Sequence, residues 1–186
     1  LEEPFEEDTW IAGAAWIEAN GAHLMTTSLG WSDWYVPGDF DGATAVSTIF
    51  AEDLANSTGL LMINSAGNEG PGAGTILAPA DAVSVVAAAA VGETGSLAGF
   101  SSRGPTADGR TKPDLAAPGH QVTLARWDQP DGLMSGSGTS FASPILAGVA
   151  TLLIEAHPDW TRVELVAALK ETASQADAPD NDMGWG

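Results

Sequence analysis

Apolar residues recur along this chain in two rhythms that take turns. Trp10, Ala14 and Ile17 fall on one side of a helix, with Asp8 or Thr9 placed to cap its start and Gly21 just past its end. A short strand follows over about 23–28, then the Gly-, Trp- and Asp-rich loop "LGWSDWYVPGDFDG". Helical spacing returns over about 43–55, with Val46, Ile49, Phe50 and Leu54 on one face, until Gly59 interrupts it. "LLMINS" (60–65) and the run from Val83 to Val91 are continuous apolar stretches, the pattern of strands covered on both faces of a parallel sheet. From Gly92 to Gly132, frequent Gly, Pro and Asp predict short strands joined by turns. The last third is helical. Ile145, Leu146, Val149, Leu152 and Leu153 keep helical spacing up to Pro158, and Thr161 with Glu164 forms a capping box ahead of a final helix.

The alternation of helices and buried strands predicts an α/β fold. We expect a mostly parallel, twisted sheet with helices on both faces and right-handed crossovers. The 186 residues suit one domain, and no repeat, low-complexity segment or interdomain linker breaks them.

Composition narrows the partners. Hydrophobic residues make up 44% of the chain, which is globular rather than disordered. Against 25 Asp and Glu stand only 6 Lys and Arg, a formal net charge of −19 that disfavours nucleic acid and anionic membranes. Such a surface also repels itself, as either a solubility feature or an adaptation to a saline habitat. The apolar runs read as too short, or too interrupted by small residues, to span a bilayer. The opening "LEEPFEED" has no signal-peptide pattern. Without cysteine there is no disulfide, thiolate nucleophile or Cys-ligated zinc.

Two segments carry candidate chemistry. In "GSGTSFASPILAG" (136–148), Gly136 and Gly138 permit a sharp turn, and Thr139 and Ser140 open a helix. Ser140 there is either a cap or a nucleophile whose oxyanion is received by free backbone N–H groups. In "NSAGNEGPGAG" (64–74), Asn68 follows a buried strand, either as a turn residue or with its amide donating into a cleft at the strand's carboxyl end. The glycines at 67, 70, 72 and 74 do not make a dinucleotide-binding loop.

Together these residues resemble the subtilisin-like serine peptidase family. "GTSFASP" (138–144) is similar to its nucleophile motif, "SAGNEG" (65–70) to its oxyanion-hole segment and "TSLG" (27–30) to its substrate-binding strand edge. "FSSRGP" (100–105) and "KPDLAAPG" (112–119) match further family signatures in the same order. The resemblance implies a three-layer subtilisin-like fold with Ser140 as nucleophile and Asn68 as oxyanion donor. It also implies that Ser28, Leu29 and Gly30 pair with a polypeptide substrate, and that Ala66 and Gly67 line the pocket for the residue before the scissile bond. It implies no cofactor, a secreted or cell-envelope location, and often structural calcium. Asp33, Asp39 and Asp41 cluster in one loop but lack calcium-loop spacing, so no calcium ligands are identifiable and solvated carboxylates are the expectation.

The chain departs from the family at the base. The triad runs Asp, His, Ser, yet neither an "HGTH"-like nor a "D-[ST]-G"-like motif occurs. His157 lies 17 residues beyond Ser140 on the same helix, about 25 Å away at 1.5 Å per residue, and His23 and His120 read as surface or packing residues. We therefore expect residues 1–186 to be a single partial domain, incomplete at its N-terminal side. An upstream segment of the same peptidase domain would supply Asp and His, and the chain alone would be inactive. An α/β-hydrolase would need an acid and a histidine after the serine, and only His157 follows. A non-catalytic peptide-binding module with a degenerate peptidase fold is the other reading. Asn56-Ser57-Thr58 is a glycosylation sequon by pattern alone.

Overall fold

The computed structural model describes residues 4–186. Strands β1 (Leu24–Thr27), β2 (Leu61–Ser65), β3 (Val85–Val91) and β4 (Leu115–Pro118) lie side by side in chain order, all parallel. The register sets Thr27 opposite Asn64, and Ser65 opposite Ala88. Helices α1 (Pro4–Ala19) and α2 (Val46–Thr58) cover one face, and α3 (Thr139–Ala156) and α4 (Arg162–Glu171) cover the other.

Strand alternation divides the core in two. Leu61 and Ile63 of β2 join Val86, Ala88 and Ala90 of β3 against Ala142, Leu146, Ala147 and Ala150 of α3. Met62 and Val85 point the other way, onto Trp10 and Ala14 of α1 and Ala51 and Ala55 of α2. Every residue of β2 is buried, which is why its sequence reads as an unbroken apolar run. The alanines of β3 and of α3 leave so little side-chain bulk that helix and sheet approach closely. An antiparallel hairpin, β5 (Val122–Ala125) and β6 (Leu133–Gly136), stands apart from the sheet and runs into α3.

Several boundaries differ from the sequence reading. Helix α1 already runs from Pro4, and the Thr9 hydroxyl donates back to the Phe5 carbonyl (2.8 Å) inside the helix instead of capping it. Glu6 and Glu7 in its first turn suit the positive end of the helix dipole. Helix α2 begins three residues later than expected because Asp41 accepts the Ala43 N–H and the Thr44 hydroxyl, holding that stretch as a turn. Ala45 has no side chain to cap α2. The buried Glu7 carboxylate does so instead, accepting the Ser47 N–H (2.9 Å) together with the Trp34 indole and the Tyr35 hydroxyl. Gly59, at φ 77°, closes the other end.

The buried faces differ too. Helix α2 buries Ser47, Thr48, Ala51 and Ala55, leaving Val46 and Ile49 exposed, and Val83 lies outside β3 and is exposed. On α3, Ile145, Val149 and Leu152 face outward, with Val149 51% and Leu152 66% exposed. Contrary to the reading of the apolar runs, α3 is long and apolar enough to cross a membrane; it lies instead across all four strands as a core helix. The capping box of α4 forms as expected, with Thr161 and Glu164 bonding each other's backbone N–H.

Candidate active site

The carboxyl ends of β1 and β2 meet the start of α3 at a cleft of about 220 Å³. Ser28, Leu29 and Gly30 line it from the end of β1, Gly67 and Asn68 from the end of β2, and Ser140 from α3. Ser65, Glu69, Leu77 and Thr139 complete the wall. Residues 112 positions apart are thus brought together at the edge where parallel α/β sheets place ligands.

Pro144 shapes this meeting. In a regular helix its N–H would donate to the carbonyl of Ser140, four residues earlier, but proline has none. The Ser28 hydroxyl donates to that freed carbonyl at 2.8 Å, latching β1 to the first turn of α3. The Ser140 hydroxyl faces back across the same junction, with the Ser28 carbonyl 3.4 Å away. Ser140 occupies the first turn, where its N–H has no intrahelical carbonyl to reach and the dipole is positive.

Asn68 is oriented by what its oxygen accepts. Both the Thr139 N–H (2.9 Å) and the Thr139 hydroxyl (3.1 Å) donate to Asn68 Oδ1. Only an oxygen can take an N–H donor there, so the network fixes the amide and leaves Nδ2 on the other side, without a hydrogen bond among the described residues. The Gly67 N–H donates to Thr139 Oγ1 (3.3 Å), tying the same threonine to the backbone before Asn68.

One cleft feature was not legible in the sequence. Leu77, from the stretch after the glycine-rich turn, pairs through its N–H with the Ala66 carbonyl and lays its side chain over Gly30 and Gly67. A Cβ at Gly67 would stand 2.8 Å from Leu77 Cγ and 2.6 Å from Ser102 Oγ, and φ is +113°, so only glycine fits. Glu69 is the one charged side chain on the cleft wall among the described residues. Ala66, expected on the pocket wall, instead packs into a buried cluster with Ile76, Ala80 and Ala87. Its Cβ follows the two-residue alternation of β2 into the core, while its N–H continues the sheet to the Ala88 carbonyl.

None of the three histidines lines the cleft. His157 ends α3 and stacks on Trp160 with ring centroids 3.8 Å apart, His120 contacts Phe100 and Ser137, and His23 is exposed. Asp39 accepts the Val36 N–H and Asp41 closes its own turn, and no group of three His, Asp or Glu side chains converges among the described residues. The Asn56 amide of the sequon bonds Glu52, Ser84 and Arg162.

A model of the subtilase family matches residues 2–186. The chain belongs to the subtilase family. Serine protease AprX of Bacillus subtilis (strain 168) is 35% identical over 88% of this chain, which spans 40% of that protein. The halolysin-like extracellular serine protease Nep of Natrialba magadii is 40% identical over 69% of this chain, which spans 22% of it. Among solved structures, the prenylagaramide maturation protease PagA superposes with a TM-score of 0.77 at 26% identity, covering 97% of this chain and 64% of PagA. The chain therefore spans well under half the length of these two curated relatives. The parallel sheet flanked by helices is a subtilase architecture, and Ser140 and Asn68 stand in one cleft of it.

Proposed function

We propose that this chain is the C-terminal part of a serine endopeptidase domain and that Ser140 forms the acyl-enzyme. The observation that carries the proposal is the Thr139–Asn68 network, which takes up Asn68 Oδ1 and so leaves its Nδ2 as the donor end of a side chain that lines the same cleft as Ser140. The Ser140 hydroxyl attacks a peptide carbonyl, its proton passes to a base, and the oxyanion is received by Asn68 Nδ2 and the Ser140 N–H; collapse then breaks the C–N bond, the amine leaves with the proton returned by the base, and the acyl group stays on Ser140. The peptide lies along Ser28 to Gly30 as an added strand. Leu29 and Leu77 make an apolar wall for the residue before the scissile bond, with Glu69 at the rim. We infer a preference for a large apolar side chain there, and a substrate panel in which Lys or Arg is preferred overturns it.

The base lies outside this chain in our proposal, and two surfaces support that. Among the described residues, strand β1 is hydrogen-bonded to a neighbouring strand on one side only, and Ile145, Val149 and Leu152 of α3 are exposed. An upstream strand and helix carrying Asp and His would cover both. Secretion is proposed from the extracellular relative.

The test compares the chain alone with a domain that includes the upstream segment. A fluorophosphonate should label Ser140 and peptide hydrolysis should appear only in the longer protein, and Ser140→Ala should abolish both. Ser140-dependent hydrolysis by the chain alone would show a base in cis. A longer protein that binds peptides without labelling would favour the non-catalytic module.

A further inference from the structure

We infer that Ser102, in the "FSSRGP" segment, is the positioning residue for Asn68. The inference rests on the peptidase reading above and extends it to a side chain that does not touch the substrate. Ser102 is fully buried and grips the chain on both sides of Asn68. Its N–H donates to the Gly67 carbonyl at 2.9 Å, and its hydroxyl oxygen accepts the Glu69 N–H at 3.1 Å. One residue thus fastens both peptide groups that flank Asn68.

The anchor itself is held. Ser101, its neighbour, accepts the Ala90 N–H of β3 through its own hydroxyl (3.1 Å), fixing the segment to the central sheet. The Phe100 carbonyl accepts the Gly70 N–H (2.9 Å), so the loop is pinned again two residues beyond Asn68. Ser102 Oγ lies where a Gly67 side chain would stand, which ties the glycine before Asn68 to the serine beneath it. The paired serines therefore divide the work: Ser101 holds the sheet and Ser102 holds the loop.

The consequence is kinetic. Thr139 orients the amide head of Asn68, and Ser102 sets the height and tilt of the backbone that carries it. A donor displaced by a fraction of an ångström still admits substrate but meets the oxyanion poorly, so loosening it lowers kcat more than it alters KM.

The experiment is a double-mutant cycle in the complete peptidase domain, with Ser140→Ala as control. Ser102→Ala should lower kcat about 3- to 10-fold, the equivalent of one neutral hydrogen bond, with KM within about twofold of wild type. In an Asn68→Ala background the same change should cost less than about twofold, because the donor it positions is gone. Ser102→Cys keeps the bulk with a weaker acceptor and should give a smaller loss of the same kind, and it serves as the test if the alanine variant does not fold. Equal losses in both backgrounds, a loss confined to KM, or wild-type kcat in Ser102→Ala would each overturn the inference. Undiminished turnover in Ser140→Ala would instead overturn the peptidase reading, and this inference with it.

Discussion

Asn68 illustrates how a single side chain acquires a direction. Its amide would rotate freely in a glycine-rich turn, but two donors from Thr139 settle on one end and commit the other to the cleft. In the proposed mechanism, Asn68→Ala should lower kcat by about 10²- to 10³-fold with little change in KM. That magnitude is the one established for the oxyanion donor of subtilisin, not one deduced from this geometry. Wild-type turnover in that variant, measured by steady-state kinetics, would remove Asn68 from the site. Asp114 makes a second residue-scale prediction, about stability. Burial pushes its carboxyl up, but the charges and hydrogen bonds of Lys112 and Lys170 more than offset this and hold it below the ordinary carboxylate value. A depressed carboxyl contributes stability above its unfolded value and loses it as pH falls through the folded one. Asp114→Asn leaves Lys112 buried without its counter-charge and should cost about 3–5 kcal/mol at pH 7. Urea unfolding at neutral and acid pH should show that gap narrowing in acid; a gap independent of pH would contradict the assignment. Asp81 has the opposite sign: burial raises its carboxyl despite the Thr48 and Gly42 hydrogen bonds, so its contribution is present in acid and lost as pH rises through the raised value. Ser140 and Asn68 were legible in the sequence because short motifs surround them. The Ser28 latch and the Glu7 cap were not, since each joins partners 112 or 40 residues apart that only the folded chain brings together.

At the scale of elements, the rhythm of apolar residues located helices and strands better than it chose their buried faces. Helix α3 is apolar nearly all round, so periodicity alone has no basis for selecting a side. The side that won carries Ala142, Ser143, Ala147 and Ala150, small enough for close approach, with the Ser143 hydroxyl reaching Thr26 and the Thr27 and Ile63 carbonyls of the sheet. The same preference for small residues buries Ser47 and Thr48 of α2 in place of Val46 and Ile49. The outward face of α3 yields a prediction that separates the chain from the complete domain. Val149→Lys should leave the melting temperature of the chain alone nearly unchanged. In the longer protein, where the proposed upstream segment would cover this face, it should cost about 1.5–3 kcal/mol for the lost burial of a valine, and more for the buried ammonium. Equal small effects in both would mean that nothing covers α3 there. The cap of α4 was fully legible, because Thr161 and Glu164 are three residues apart and their bonds are local. Thr161→Ala should lower stability by about 0.5–2 kcal/mol, read from denaturant midpoints.

For the whole molecule, charge is the property that composition predicts and the fold then sharpens. Of the 6 basic residues, Arg103, Arg110, Lys112, Arg126 and Lys170 already stand in ion pairs, with Asp114 shared between the two lysines. Arg162 donates to the Ser84 carbonyl and Asn56. Most of the 25 acidic residues therefore have no cation beside them among the described residues, and the net charge of −19 is left as mutual repulsion across the surface. That repulsion is long-ranged only in dilute buffer: the Debye length falls from about 30 Å at 0.01 M to about 3 Å at 1 M. Salt also weakens the favourable pairs, but the exposed ones are few and each is worth about 0–1 kcal/mol, while the Lys112–Asp114 pair is shielded from solvent. Screening should thus remove more repulsion than attraction. We predict that the complete domain melts at a higher temperature in molar sodium chloride than in dilute buffer. Sulfate would confound the comparison by strengthening apolar burial, so a neutral osmolyte serves as the control and calcium is kept saturating throughout. A melting temperature that stays flat or falls as sodium chloride rises would show that the acidity serves solubility and not stability in brine.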